Sequence, residues 1–234
     1  MYLSRLVPEL TSHSFRRDHG DLHQMHRTVM SGFPDLPDSD GARARHAVLW
    51  RLDRANAGYI LYVQSRTRPD WGHLGAYLAR PAETRELSTA FEALRPGKTL
   101  AFRLLANPTK RMSPQEQRDP GRKGGRRDNR YPILKAEDKI AWLVKRGSQN
   151  GFVIPSGANA RPDVALTSSP RLTGRQTGQR ANKITVDPVR FDGHLVVTDP
   201  ETLADALIAG VGPAKSYGCG LLSLAPPRQG AADR

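Results

Sequence analysis

The feature that most narrows the fold of this chain is an order of elements that occurs twice. In the first half, Tyr2 to Leu6 has the make-up of a short strand. A helix then runs from Asp21 to Met30, with Asp18 or Asp21 as its cap, and Pro34 and Pro37 close the region. Ala47 to Leu52 and Tyr59 to Gln64 are apolar and enclose Asn56 and Gly58, which reads as a strand pair. Asp70 to Leu78 is a second helix behind Asp70. In the second half, Leu100, Phe102, Leu104 and Ala106 share one face of a strand over Thr99 to Ala106. Ile140, Leu143 and Val144 stand at helical spacing within Ala136 to Arg146. Ile184 to Phe191 and His194 to Thr198 flank Asp192-Gly193, a pair with hairpin-turn chemistry. Asp199 caps a helix over Thr202 to Ile208, and Leu221 to Leu224 is a last strand.

A βαββαβ plan in tandem predicts an α+β protein made of two ferredoxin-like domains. Residues 1–80 form the first, residues 81–97 with Pro81, Pro96 and Gly97 form a linker, and residues 98–226 form the second. Residues 227–234 are expected to be a disordered tail. A length of 234 residues is enough for two small cores. Cys219 is the only cysteine, which excludes an internal disulfide framework and a cysteine-based zinc site and fits a reducing cytoplasm. The opening MYLSRLVPEL lacks a signal-peptide core. No run approaches the roughly 18 apolar residues of a membrane span, so no membrane partner is expected.

Lys and Arg number 36 against 23 Asp and Glu, a net charge of +13. Such a balance points to a polyanion, whether RNA, DNA or an anionic membrane, although a basic structural protein carries it too. Aromatic residues make up only 6%, which argues against a platform of many stacked bases. The charge gathers in three places. Lys110, Arg111, Arg118, Arg122, Lys123, Arg126, Arg127 and Arg130 lie in a segment without apolar periodicity, interrupted by glycine and proline. Such a segment either follows phosphates and orders on binding or is a solvated charge run. Arg171, Arg175, Arg180 and Lys183 precede the strand at Ile184, in what Gly174 and Gly178 mark as a loop. Finally, the turn from Gly210 to Gly220 holds Gly212, Lys215, Gly218 and Gly220. It lacks the GxxxxGK[ST] order, so nucleotide hydrolysis is not indicated. Its amides either bind phosphate oxygens or serve a tight helix-to-strand crossing.

His19, His23 and His26 stand four and three residues apart, and Arg27 follows. Spacing places His23 and His26 on one helix face, with His19 at its start. Three readings fit: a solvated face, a shared metal site lacking a clear carboxylate or thiolate, and acid–base catalysis. RNA carries its own nucleophile in the 2′-hydroxyl. Catalysis then needs alignment, removal of one proton, delivery of another and stabilisation of the phosphorane.

Several stretches together resemble the CasE family of CRISPR RNA-processing enzymes: MYLSRL, HQMHRTVMSGFPD, FRLLANPTKR, EDKIAWLVKR, VDPVRFDGHL and GVGPAKSYGCGLLSLAP. The resemblance runs nearly end to end. It implies tandem ferredoxin-like domains and cofactor-free, metal-independent cleavage of a CRISPR repeat hairpin RNA, with the product kept for assembly with other Cascade subunits. It puts His26 on the family's catalytic histidine. His23 falls where some relatives carry a catalytic tyrosine. Lys183, with Arg175 and Arg180, would lie near the scissile phosphate, and the basic loop would hold the stem. Two rivals are a non-catalytic hairpin-binding scaffold and a metal-dependent nuclease.

Overall fold

A computed structural model describes residues 1–36, 41–111, 130–157, 160–175 and 183–227; of Arg130, Arg175 and Lys183 it describes the backbone alone. The first half comprises β1 (Tyr2–Leu6), α1 (His13–Gly20), α2 (Leu22–Met30), α3 (Ala42–Arg45), β2 (Leu49–Ala55), β3 (Gly58–Ser65), a 3₁₀ segment (Gly72–Tyr77), β4 (Glu83–Glu86) and α4 (Ser88–Glu92). Its antiparallel sheet has the order β2-β3-β1-β4. The expected linker, residues 81–97, thus contains a strand of this sheet, with Tyr2 opposite Glu86 and Arg5 opposite Glu83. The polar run ETRE gave no strand signal because β4 is a mostly exposed edge, where polar side chains suit water.

The helix expected from Asp21 is preceded by another. The chain breaks at Asp21, whose extended backbone lets its carboxylate accept from the amides of His23 (2.8 Å) and Gln24 (3.4 Å). Asp18, only 1% exposed, accepts from Thr28 Oγ1 at 2.5 Å and from Arg17, and so ties α1 to α2. The helix expected over Asp70 to Leu78 is a 3₁₀ turn, with Asp70 accepting from the amide of Gly72.

The second half comprises β5 (Thr99–Ala106), β6 (Thr109–Arg111), β7 (Arg130–Pro132), α5 (Ala136–Gln149), β8 (Phe152–Val153), β9 (Val164–Ser168), β10 (Leu172–Arg175), β11 (Lys183–Val186), β12 (Val189–Val197), α6 (Pro200–Ala209), a 3₁₀ turn (Lys215–Tyr217) and β13 (Leu222–Ala225). Its main sheet has the order β13-β5-β12-β8, and β9 also pairs with β12. Asp192-Gly193 is not a hairpin turn. Both residues lie inside β12, paired to Arg103 and Phe102 of β5. Gly193 serves close approach instead, since a Cβ there would lie 2.2 Å from the Asp163 carbonyl oxygen. Asp192 accepts from Arg103 (2.5 Å) and forms an ion pair with Arg190 (2.7 Å). The segment expected as a loop around Gly174 is the first strand of the antiparallel pair β10–β11, with Arg175 opposite Lys183.

Each sheet has its own core. The second is built around Leu104, Leu143, Phe152, Phe191, Leu195 and Leu203. The first, around Leu6, Met25, Val29 and Val63, also takes in Val186 and Cys219 from the second half, with Leu172, Ile184, Ala214 and Tyr217 packed against it. Polar contacts join the halves as well. Arg51 of β2 is 3% exposed. It pairs with Asp53 at 2.8 Å and donates to the carbonyls of Leu221 (3.1 Å) and Arg103 (3.3 Å) and to Ser223 Oγ (3.0 Å). Gln64 Nε2 donates to the Leu207 carbonyl at 2.6 Å. Arg51→Met keeps the unbranched stem of the side chain but removes every donor. It should cost about 3 kcal/mol, because it leaves the Asp53 carboxylate with only the longer contact to Arg103 at 3.5 Å and takes a donor from two carbonyls. Urea denaturation checks this; a loss within 0.5 kcal/mol, roughly the noise of a surface substitution, would show that the clasp adds nothing.

Candidate active site and nucleic-acid interface

Helix α2 buries Leu22, Met25 and Val29, spaced at one helical stripe. His23 and His26 are half-buried beside that stripe. The His26 Nδ1 is enclosed and has no hydrogen-bond partner. Proton exchange with a substrate therefore falls to Nε2. The ring stands edge-on to Tyr217, with centroids 6.3 Å apart. Burial pushes the His26 pKa down to about 4, and the neighbouring charges of His23 and Arg43 act in the same direction. The imidazole is thus neutral at pH 7. His19 is not part of this group. It ends α1, is exposed, and rests on Tyr59 (4.8 Å) and Phe15 (5.8 Å).

The second half brings two elements to α2. One is the β10–β11 pair. A Cβ on Gly174 would lie 3.0 Å from Asp21 Oδ1 and 3.1 Å from the amide nitrogen of His23, so this strand crosses the start of α2 with no room for a side chain. Arg175 and Lys183 form the next cross-strand pair along, beside the pairing of Gly174 with Ile184. Arg171 is engaged elsewhere, with Asp187 at 2.5 Å. The other element is the glycine-rich turn. Left-handed Ala214 and Gly218 bracket Lys215 to Tyr217, and Trp50 Nε1 donates to the Ser216 carbonyl at 3.2 Å. The expected phosphate-binding glycines face protein. Gly212 lies against Trp142, Gly218 against Trp50, and the amide of Gly220 donates to Leu105. Lys215 is half-buried, and burial followed by Arg43 and Arg146 lowers its pKa.

A cleft of about 890 Å³ opens beside His26. Arg27, Met30, Phe33, Arg43 and Ser216 are among the residues that line it. Arg27 is exposed, and Arg43 is half-buried with its guanidinium donating to the Val48 carbonyl at 3.0 Å. Among the described residues, no three His, Cys, Asp or Glu side chains cluster as a metal site, and no helix is long and apolar enough to cross a membrane.

The model of the family described as CRISPR associated protein matches residues 1–226. The CRISPR-associated endoribonuclease Cse3 of Thermus thermophilus is 33% identical over 231 residues, covering 97% of this chain and 100% of the relative. The CRISPR system Cascade subunit CasE of Escherichia coli is 30% identical over 232 residues, with the same two coverages of 97% and 100%. The chain belongs to the CasE family of CRISPR-associated proteins. A solved structure of Thermus thermophilus Cse3, bound to an RNA representing a pre-cleavage complex, superposes with a TM-score of 0.74 at 32% identity, covering 96% of this chain and 98% of that one.

In this CasE-family protein, His23, His26 and Arg27 share α2, and the backbone of Arg175 and Lys183 lies beside the strand crossing that helix. Lys110 and Arg111 lie on β6, with Arg111 opposite Arg130 of β7. Arg118, Arg122, Lys123, Arg126, Arg127 and Arg180 fall outside the described residues. Sequence reading missed Arg43 and Tyr217. Tyr217 sits inside the motif that drew attention to its glycines, whereas Arg43 has no local signal and reaches His26 only through the fold.

A depressed histidine pKa has a clear sign. Between pH 6.5 and about 4 the unfolded chain binds a proton at His26 that the folded chain refuses, so this contribution to stability is complete above pH 6.5 and lost as pH falls through that window. NMR titration of the ring protons should give a His26 midpoint near 4, and Arg43→Ala should raise it. A midpoint at 6.5 in the folded protein would show that the fold does not depress this histidine.

Proposed function

We propose that this protein is a metal-independent endoribonuclease that cuts a CRISPR repeat hairpin RNA and retains the product as a Cascade subunit in the cytoplasm. Two tandem ferredoxin-like domains carry it. The order β2-β3-β1-β4 in the first sheet and β13-β5-β12-β8 in the second supports that reading, as both place the fourth strand of the unit beside the first and the second at an edge. The first domain then runs through β4 rather than stopping at residue 80, and the second covers residues 98–226.

The single observation that carries the chemistry is His26, half-buried, with one ring nitrogen enclosed, at the edge of a cleft lined by arginines. The neutral ring takes the proton of the 2′-hydroxyl through Nε2 as that oxygen attacks the adjacent phosphorus. His23, one helical turn earlier, or Lys183 delivers a proton to the departing 5′-oxygen. Cations around the phosphate, Lys183 and Arg175 among them, offset the charge that builds on its oxygens. The products are a 2′,3′-cyclic phosphate and a 5′-hydroxyl, and no cofactor takes part. The basic segment from Lys110 to Arg130 holds the stem. The Thermus thermophilus relative with its pre-cleavage RNA and the Cascade subunit of Escherichia coli support the substrate class and the partner.

His26→Ala should lower single-turnover cleavage of a hairpin RNA by about a hundredfold or more, the usual weight of one acid–base group, and leave affinity for a 2′-deoxy analogue nearly unchanged. Wild-type cleavage should persist in EDTA. Cleavage by the variant at the wild-type rate would reject the assignment, and loss of activity in chelator would favour a metal-dependent nuclease.

A further inference from the structure

The strand pair β10–β11 covers the start of α2 at Gly174, while the cleft opens at the other end of the helix, around Met30. An RNA strand that passes His26 between these two features meets the strand pair on one side and the cleft on the other. The cleft has the character of a nucleotide seat. Its volume falls within the roughly 300–1,000 Å³ of pockets that enclose small organic ligands. Half-buried Met30, buried Phe33 and exposed Pro34 give it an apolar wall. That wall is braced from behind. Phe33 stacks on His46 at 5.4 Å and meets Trp71 edge-on at 5.9 Å. His46, itself buried, bonds Thr67 Oγ1 at 2.7 Å and the Pro34 carbonyl at 3.2 Å. Arg27 and Arg43 add positive charge. The partner of Arg43, the Val48 carbonyl, holds its guanidinium in place without neutralising it. Asp35 is the only acidic side chain among the described lining residues, and a carboxylate accepts from the N–H groups of a base but repels phosphate.

We infer that this cleft seats the unpaired nucleotide adjoining the scissile phosphate, its base against Met30 and Pro34 and its phosphate on Arg43 and Arg27. The inference rests on the proposed RNA cleavage and adds to it a second layer of specificity. The hairpin stem is chosen by shape and charge, and the position of the cut by whether one neighbouring base fills the cleft. Arg43 then has two effects, fixing the backbone next to the cut and adding its charge to the burial that keeps His26 neutral.

The test uses the full chain and a hairpin RNA with a 2′-deoxy residue at the cut. The RNA is prepared intact, abasic just before the cut, and abasic just after it. Binding of each is measured with the wild type, Met30→Ala and Arg43→Gln. One abasic RNA should bind the wild type about fivefold or more weakly than the intact RNA, the low end of the loss on removing a stacked base. That ratio should shrink towards one in Met30→Ala. The ratio compares two RNAs on the same protein, so a partial loss of folded variant does not alter it. Arg43→Gln should weaken the intact RNA and reduce the log–log salt slope by about 0.7. Equal binding of all three RNAs by the wild type, or a ratio unchanged in Met30→Ala, overturns the inference. Cleavage of the unmodified RNA, followed in parallel, separates the two levels. An RNA that is cut without any abasic effect removes the cleft alone, while one neither bound nor cut removes the ribonuclease reading with it.

Discussion

The Arg51 guanidinium is the contact on which the site most depends, although it lies away from the histidines. It is a buried charge, and such a charge is tolerated only with a full set of partners. Asp53 comes from the same strand, whereas the carbonyls of Arg103 and Leu221 and the hydroxyl of Ser223 come from the other sheet. Every acceptor must be in place at once, so the clasp admits one arrangement of the two sheets and penalises sliding between them. That arrangement sets where the glycine-rich turn meets α2, because Leu221 and Ser223 adjoin the turn and lead into β13. Trp50, next to Arg51, receives the turn by donating to Ser216. The position of Tyr217 against His26 follows from these neighbours.

In a protein of net charge +13, His26 lies within reach of the positive charge of Arg43. Suppression of the imidazolium comes first from burial, and the nearby positive charge acts in the same direction, so a basic protein and a neutral ring are not in conflict. A neutral ring is what the proposed removal of a hydroxyl proton requires, and in that proposal the phosphate would bring negative charge that the arginines accommodate. The proposed division of labour between base and acid would then come from surroundings rather than from residue type. Nδ1 is enclosed and desolvated, while a group at the edge of the cleft keeps access to water.

Elements whose signals are local were legible in the sequence. The alternation through Leu100, Phe102, Leu104 and Ala106 corresponds to β5 residue for residue, because one face of that strand lies on a core and the other does not. Asp21 and Asp199 cap the helices they precede. The spacing of His23 and His26 put both on one face. What was not legible depends on partners distant in sequence. Glu83 to Glu86 becomes a strand only because β1 offers it an edge. Asp192-Gly193 has the chemistry of a turn but is held extended by β5 and β9, and its glycine answers to the backbone of Asp163. Gly174 signalled a loop and proved to be a point of close approach to α2. Arg43 carries no motif at all.

The first core is completed by residues far along the chain, and this bears on the order of events during synthesis. Helix α2 is made early, but Val186, Ala214, Tyr217 and Cys219, which pack around it, follow only after more than half of the sequence. At about 5–20 residues per second, Tyr217 follows Met30 by roughly ten to forty seconds. Through that interval the histidines exist without the ring that abuts His26 or the strand that crosses its helix. A nascent chain therefore holds the proposed proton acceptor long before it holds a site, and the proposed ribonuclease activity would belong to the finished polypeptide alone.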